Sequence, residues 1–202
     1  LSEQKELIDW LRSIYGELPS SHPLFQRSRD IFERVLTAAD KRAARLPELM
    51  IIQEAKDPWA MCLENGTVIL TQKALEICYR DVDEPTGSAR LAFIFGHELA
   101  HLAKDDFWEW KAFEMVKKHG SGQRGIQAIL NILAESEKTE DLDHVRETRK
   151  KKEIQADEYG LLYAVMAGYD PKAIVDDANG ENFFQEWVDQ ITGKVAYTDD
   201  DH

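Results

Sequence analysis

The sequence has 202 residues, a length that a single domain spanning 1–202 accommodates, and its 43% hydrophobic and 31% charged content excludes wholesale disorder. Lysine and arginine number 25 against 38 aspartates and glutamates, and the formal charge of −13 repels nucleic acid and anionic membranes, so neither is expected as a partner. Apolar runs such as Leu91 to Phe95 fall far short of the roughly 20 residues a membrane helix needs, and no cleavable signal opens the chain.

In chain order, Leu7, Ile8, Leu11 and Ile14 recur at helical spacing between Glu6 and Tyr15, and a second helix is predicted from Pro23 to Arg45; these form a helical part over 1–45. Leu49 to Ile52 and Trp59 to Leu63 read as strands, and Asn65-Gly66 supplies the positive-φ pair a tight hairpin favours before a third strand, Thr67 to Thr71. Thr71 is placed to cap a helix reaching Tyr79. Asp81 to Gly87 reads as a loop because of Pro85 and Gly87, and Ser88 is the expected cap of the next helix, which carries Leu91, Ile94, Phe95, Leu99 and Leu102.

Asp105 to Lys118 and Ile126 to Leu133 read as helices of an insertion over 105–152, in which Trp108 and Trp110 either pack in a core or shield a cleft. A helix from Ile154 to Met166 is predicted to end at Gly168, and Pro171 starts the next, within a C-terminal part over 153–202. The expected fold class is therefore α+β, mostly helical, with a small antiparallel sheet beside the helix of residues 88–104. Cys62 and Cys78 read as buried thiols, which together with the missing signal points to a reducing cytoplasm. A start at Leu1 and an end at His202 after an acidic run read as an excised domain or processed form, from which a signal or anchor can be missing.

In Gly96-His97-Glu98-Leu99-Ala100-His101 two histidines stand four apart, which on a helix puts both on one face with Cβ atoms about 5–6 Å apart, in reach of one metal ion. Glu98 is rotated one residue off that stripe, near enough to meet a metal-bound water and suited to be its base. The competing reading makes all three ordinary polar positions on a packed helix.

A catalytic zinc needs three protein ligands and an open position. A third histidine directly downstream is missing, since Lys104 and Phe107 stand where a metzincin continuation has Gly and His. Glu153 opens Glu153-Ile154-Gln155-Ala156-Asp157-Glu158-Tyr159-Gly160, a helical segment with two acids on one face. Glu153 can then ligate the metal, Asp157 can fix the outer nitrogen of a ligating histidine, and small Ala156 lets the helices approach. Two alternatives stay open: a solvated acidic face paired with Arg149, Lys150, Lys151 and Lys152, or a ligand set in which Asp157 or Asp106 replaces Glu153.

The ordered set His97-Glu98-Leu99-Ala100-His101, Glu153-Ile154-Gln155-Ala156-Asp157 and Ala167-Gly168-Tyr169-Asp170-Pro171 resembles the gluzincin family of CAAX prenyl endopeptidases and HtpX-like proteases, peptidase family M48. The resemblance covers roughly Leu49 to His202. It implies a zincin-like domain, Zn2+ as cofactor, protein or peptide substrates, His97, His101 and Glu153 as ligands, Glu98 as general base and Asp157 as the partner of a histidine ligand. The chain departs from the family at Asp57-Pro58-Trp59-Ala60-Met61, where Asn-Ala-Phe-like residues are common, and in having no His-Pro pair after the glutamate helix unless His202 is that histidine.

The expected function is thus a zinc endopeptidase. His202, Tyr159 and Tyr163 are candidates to stabilise the oxyanion, His202 being favoured, and Thr67, Val68, Ile69 and Leu70 are expected to offer a sheet edge to an extended substrate. The alternative from another class is a catalytically silent or latent zinc-binding interaction module; retention of Glu98, for which a purely structural site has no use, argues against it.

Overall fold

The computed structural model describes residues 2–39, 47–56, 58–104, 142–175, 177–178 and 181–187. Helices α1 (Ser2–Tyr15) and α2 (Pro23–Ala38) come first, the second with Pro23 in its first turn and His22 Nδ1 accepting the Leu24 amide at 3.2 Å. Helix α2 ends at Ala38; positions 40–45, expected to continue it, lie outside the described residues.

Strands β1 (Glu48–Ile52), β2 (Ala60–Cys62) and β3 (Thr67–Thr71) form a sheet in the order β1-β3-β2. β2 and β3 are the expected antiparallel pair. Their turn is wider than predicted: the Gly66 amide closes on Leu63 O at 2.9 Å and Asn65 Oδ1 accepts from the Thr67 amide, but only Gly66 takes a positive φ, of 89°. β1 runs parallel to β3 on its other side, so the sheet is mixed rather than antiparallel. The expectation that Thr67, Val68, Ile69 and Leu70 offer an exposed edge is overturned, because β3 is the central strand and is buried at every position. The outer edge of β1 is itself bridged by Glu17, with the Leu18 amide on Ile51 O at 2.8 Å.

Alternation along the strands divides the core into two. Ile51, Ala60, Cys62, Val68 and Leu70 face a cluster built with α2 and the central helix, whereas Met50, Ile52, Met61, Leu63 and Ile69 face Leu7 and Leu11 of α1.

Thr71 ends β3 and caps α3 (Gln72–Cys78), its hydroxyl accepting the amides of Ala74 and Trp59, each at 3.1 Å. The central helix α4 (Glu84–Ala103) begins a turn before the predicted cap Ser88. Asp83 is the cap, accepting the Thr86 amide at 3.0 Å; Pro85 suits a first turn, where amides lack helical partners, and Gly87 is needed where the Tyr79 ring leaves no room for a Cβ.

α5 (Leu142–Met166) starts well before Glu153, so residues 142–152, assigned from sequence to the insertion, belong to the glutamate helix. The rest of that insertion, residues 105–141 with Asp106, Trp108 and Trp110, lies outside the described residues. Gly168, at φ 91°, ends α5 as predicted, and α6 (Lys172–Val175), the short β4 (Asp177–Ala178) and β5 (Glu181–Asn182), and α7 (Phe183–Trp187) follow. Among the described residues, no helix is long and apolar enough to cross a membrane.

Candidate metal centre

α4 is apolar nearly all round because it is enclosed by α2, α5 and the sheet, and this burial carries its polar motif into the core. His97, Glu98, His101, Glu153 and Asp157 are between 1% and 9% exposed, so five ionisable groups have been taken out of water together. Burial on that scale requires mutual pairing or a bound ion.

The crossing of α4 and α5 makes the convergence possible. At Gly96 a Cβ would lie 2.6 Å from Gly160 O, and at Gly160 it would lie 2.8 Å from His97 N, so bare backbones meet there. Sequence reasoning credited the close approach to Ala156, which is buried in the same interface, and missed the glycine pair. A signal existed: glycine inside a helix costs about 1 kcal/mol relative to alanine, so two of them flanking the motifs needed a packing reason.

Across this crossing His97 Nε2 lies 3.1 Å from His101 Nε2 and 3.4 Å from Glu153 Oε2, and His101 Nε2 lies 3.5 Å from Glu153 Oε1. Asp157 Oδ1 is 2.9 Å from His97 Nδ1, on the far side of the ring. Because a carboxylate accepts, Nδ1–H is the donor, and in a neutral ring this leaves a lone pair on Nε2. The His97 Nε2 lone pair and the Glu153 carboxylate then face each other, with His101 Nε2 beside both, an arrangement that a cation reconciles. Metal–ligand bonds of about 2.0–2.2 Å in a tetrahedron separate ligand atoms by about 3.3–3.6 Å, close to the spacings found here. His97, His101 and Glu153 therefore fit as a set that can hold a metal ion. Asp157 is placed on the outer nitrogen of His97 rather than among these three, and Asp106 is outside the described residues.

Burial opposes a charged His97, but the hydrogen bonds to Asp157 and Glu153 and their negative charges override it, raising its pKa well above the ordinary histidine value. Burial likewise pushes the Glu98 carboxyl up, against the pull of the two histidines. Glu98 Oε2 is buried and has no hydrogen-bond partner among the described residues.

The model of Peptidase family M48 matches residues 23–189. The chain belongs to peptidase family M48. Its members are metal-dependent peptidases, and the membership agrees with the His97, His101 and Glu153 cluster. No curated protein matches the chain.

One aspect of this M48 site was not foreseen. Trp187 of α7 is fully buried with its ring 5.7 Å from that of His97 and 6.1 Å from Phe93, so the C-terminal segment packs directly on a candidate ligand. A lone tryptophan 30 residues beyond Asp157 carries no local signal of this. Of the oxyanion candidates, Tyr159 borders a cavity beside His101 and Tyr163 is buried behind it, their rings 5.8 Å apart; His202 lies outside the described residues.

Proposed function

We propose that this M48 peptidase is a zinc-dependent endopeptidase of the CAAX prenyl endopeptidase and HtpX-like group, with His97, His101 and Glu153 as zinc ligands and Glu98 as general base. The observation that carries the reading is the convergence of the three ligand side chains one residue from a buried carboxylate whose Oε2 is unpartnered among the described residues. Two nitrogens and an oxygen of that kind suit zinc and leave an open position in a tetrahedron. Bound there, zinc supplies Lewis-acid polarisation of the scissile carbonyl and of water.

The protein's own groups do the rest. Asp157 holds His97 in one tautomer and fixes the ring plane. Glu98, whose pKa burial raises, takes the proton from the attacking water and passes it to the departing amine. Tyr159 is the described residue best placed to meet the oxyanion, and His202 remains the alternative donor. For an extended peptide we move the docking edge from β3 to β2, which among the described residues pairs with β3 alone and packs on α4.

The test is cleavage of an unfolded protein by the zinc-loaded chain, with a chelator control and a Glu98→Gln variant that keeps its metal. Loss of cleavage in both is expected. Cleavage that survives Glu98→Gln would remove Glu98 from the base role, and zinc retention without any cleavage would favour the silent zinc-binding module instead.

A further inference from the structure

Where α4 ends and α5 passes, a cavity of about 220 Å³ opens beside His101. Its walls are Ala100, His101 and Lys104 from α4 and Lys152, Gln155, Ala156 and Tyr159 from α5. Small-molecule sites usually occupy about 300–1,000 Å³, so this is room for one side chain rather than for a cofactor. The small Ala100 and Ala156 make its buried floor, and an edge of the candidate metal site closes one end.

Among the described residues that line the cavity, the exposed charges are of one sign. Lys104 and Lys152 are exposed and stand on opposite helices across the opening, in a chain whose net charge is −13. The Lys104 ammonium lies 4.9 Å from the centre of the Tyr159 ring, a cation–π contact that draws this exposed side chain toward a residue of the cavity wall. Gln155 adds an amide able to donate a hydrogen bond. A side chain that enters beside His101 therefore meets an apolar floor, an amide and two ammonium groups. An aspartate or glutamate matches that lining; a lysine or arginine is repelled by it.

We infer that this cavity is a specificity pocket for an acidic side chain of the substrate near the scissile bond. The inference deepens the peptidase reading and rests on it for the word substrate, but the pocket's recognition of a carboxylate can be measured by binding alone. The overall acidity of the protein disfavours acidic peptides at long range, so a preference for them must come from local contacts such as these.

The experiment uses the zinc-loaded Glu98→Gln chain and fluorescein-labelled degenerate peptide pools, acetylated and amidated, each with one fixed Glu or one fixed Gln, and reads affinity by fluorescence anisotropy. The Glu pool should bind about tenfold more tightly than the Gln pool, with an advantage that shrinks as salt rises. Lys104→Glu with Lys152→Glu should abolish the advantage, and the milder Lys104→Met should reduce it. Equal binding of the two pools, or an advantage that survives the double charge reversal, overturns the inference. So does a Gln pool with a free C-terminus that binds as well as the amidated Glu pool, since the pocket would then take a chain end. The active chain, digesting an unfolded protein, should leave Asp or Glu enriched at one position within two residues of the cut. A Glu preference in binding without any cleavage defeats the peptidase reading and leaves the pocket standing.

Discussion

Gly96 and Gly160 meet backbone to backbone, and their contact sets how far apart α4 and α5 hold the candidate ligands. Gly160→Ala pushes a methyl group to within 2.8 Å of His97 N, a backbone atom that cannot rotate away. The gain in helix propensity, about 1 kcal/mol, is smaller than the overpacking cost. A net loss of up to about 2 kcal/mol in chemical denaturation is expected, with at least tenfold weaker zinc binding as the helices separate. Unchanged zinc affinity would show that the crossing distance does not govern the site.

Asp157→Asn keeps the shape of the side chain that holds His97 Nδ1 but removes its charge. Zinc affinity, measured by competition with a chromophoric chelator, should fall about 10–100-fold, while the fold is retained. Glu153→Ala should lose the metal altogether. Full-strength zinc binding by Glu153→Ala would return the third-ligand position to Asp157 or Asp106.

Trp187→Ala empties a fully buried site against His97 and Phe93 and should cost about 3–5 kcal/mol of stability. Trp187→Phe retains a ring and removes an indole N–H that has no hydrogen-bond partner among the described residues, so much of that loss should be avoided. Thermal unfolding of the two variants side by side decides this; equal losses would mean that the indole N–H finds a partner.

Removing zinc with a chelator should lower the midpoint of unfolding, because a ligand that binds only the folded chain adds about 4 kcal/mol at a thousandfold excess over its dissociation constant. The shift should vanish in His97→Ala. A shift of full size in that variant would place the metal elsewhere.

The cap of α4 predicts an acid-side effect. Hydrogen bonds from Thr86 hold the Asp83 carboxyl below the ordinary aspartate pKa. A depressed carboxylate stabilises the fold above its unfolded pKa, and that contribution is lost as pH falls through the folded value. Asp83→Asn retains the cap oxygen without the charge. The difference in melting temperature between wild type and Asp83→Asn should therefore be constant from neutral pH down to about 4 and shrink below it. A difference that does not change with pH would exclude the charge as its source.

The chemistry was legible in the sequence because it is local. Two histidines four apart, and two acids four apart, declare their shared faces through helical periodicity alone, and the spacings across the candidate metal site follow once the two helices cross. Thr71 as a cap and Gly168 as a stop were readable for the same reason. Long-range features were not. β1 pairs in parallel with β3 although β2 lies between them in the chain, and nothing in Leu49 to Ile52 distinguishes that partner from an antiparallel one. The start of α4 was misplaced because Pro85 and Gly87 were read as breakers, although proline suits a first turn and Gly87 answers to the Tyr79 ring. The contact of Trp187 with His97 joins positions ninety apart, beyond any periodic signal.

The sheet works as a party wall. Ile69 looks toward α1 while its neighbours Val68 and Leu70 look toward α4, and each strand repeats the division. Side chains on the α1 side can be exchanged against one another without touching any atom that packs on His97 or His101, so that half of the core is free to drift while the other is held to the geometry of the site. The family match, which begins at residue 23, leaves out all of α1, as a tenant on the far side of such a wall would be left out.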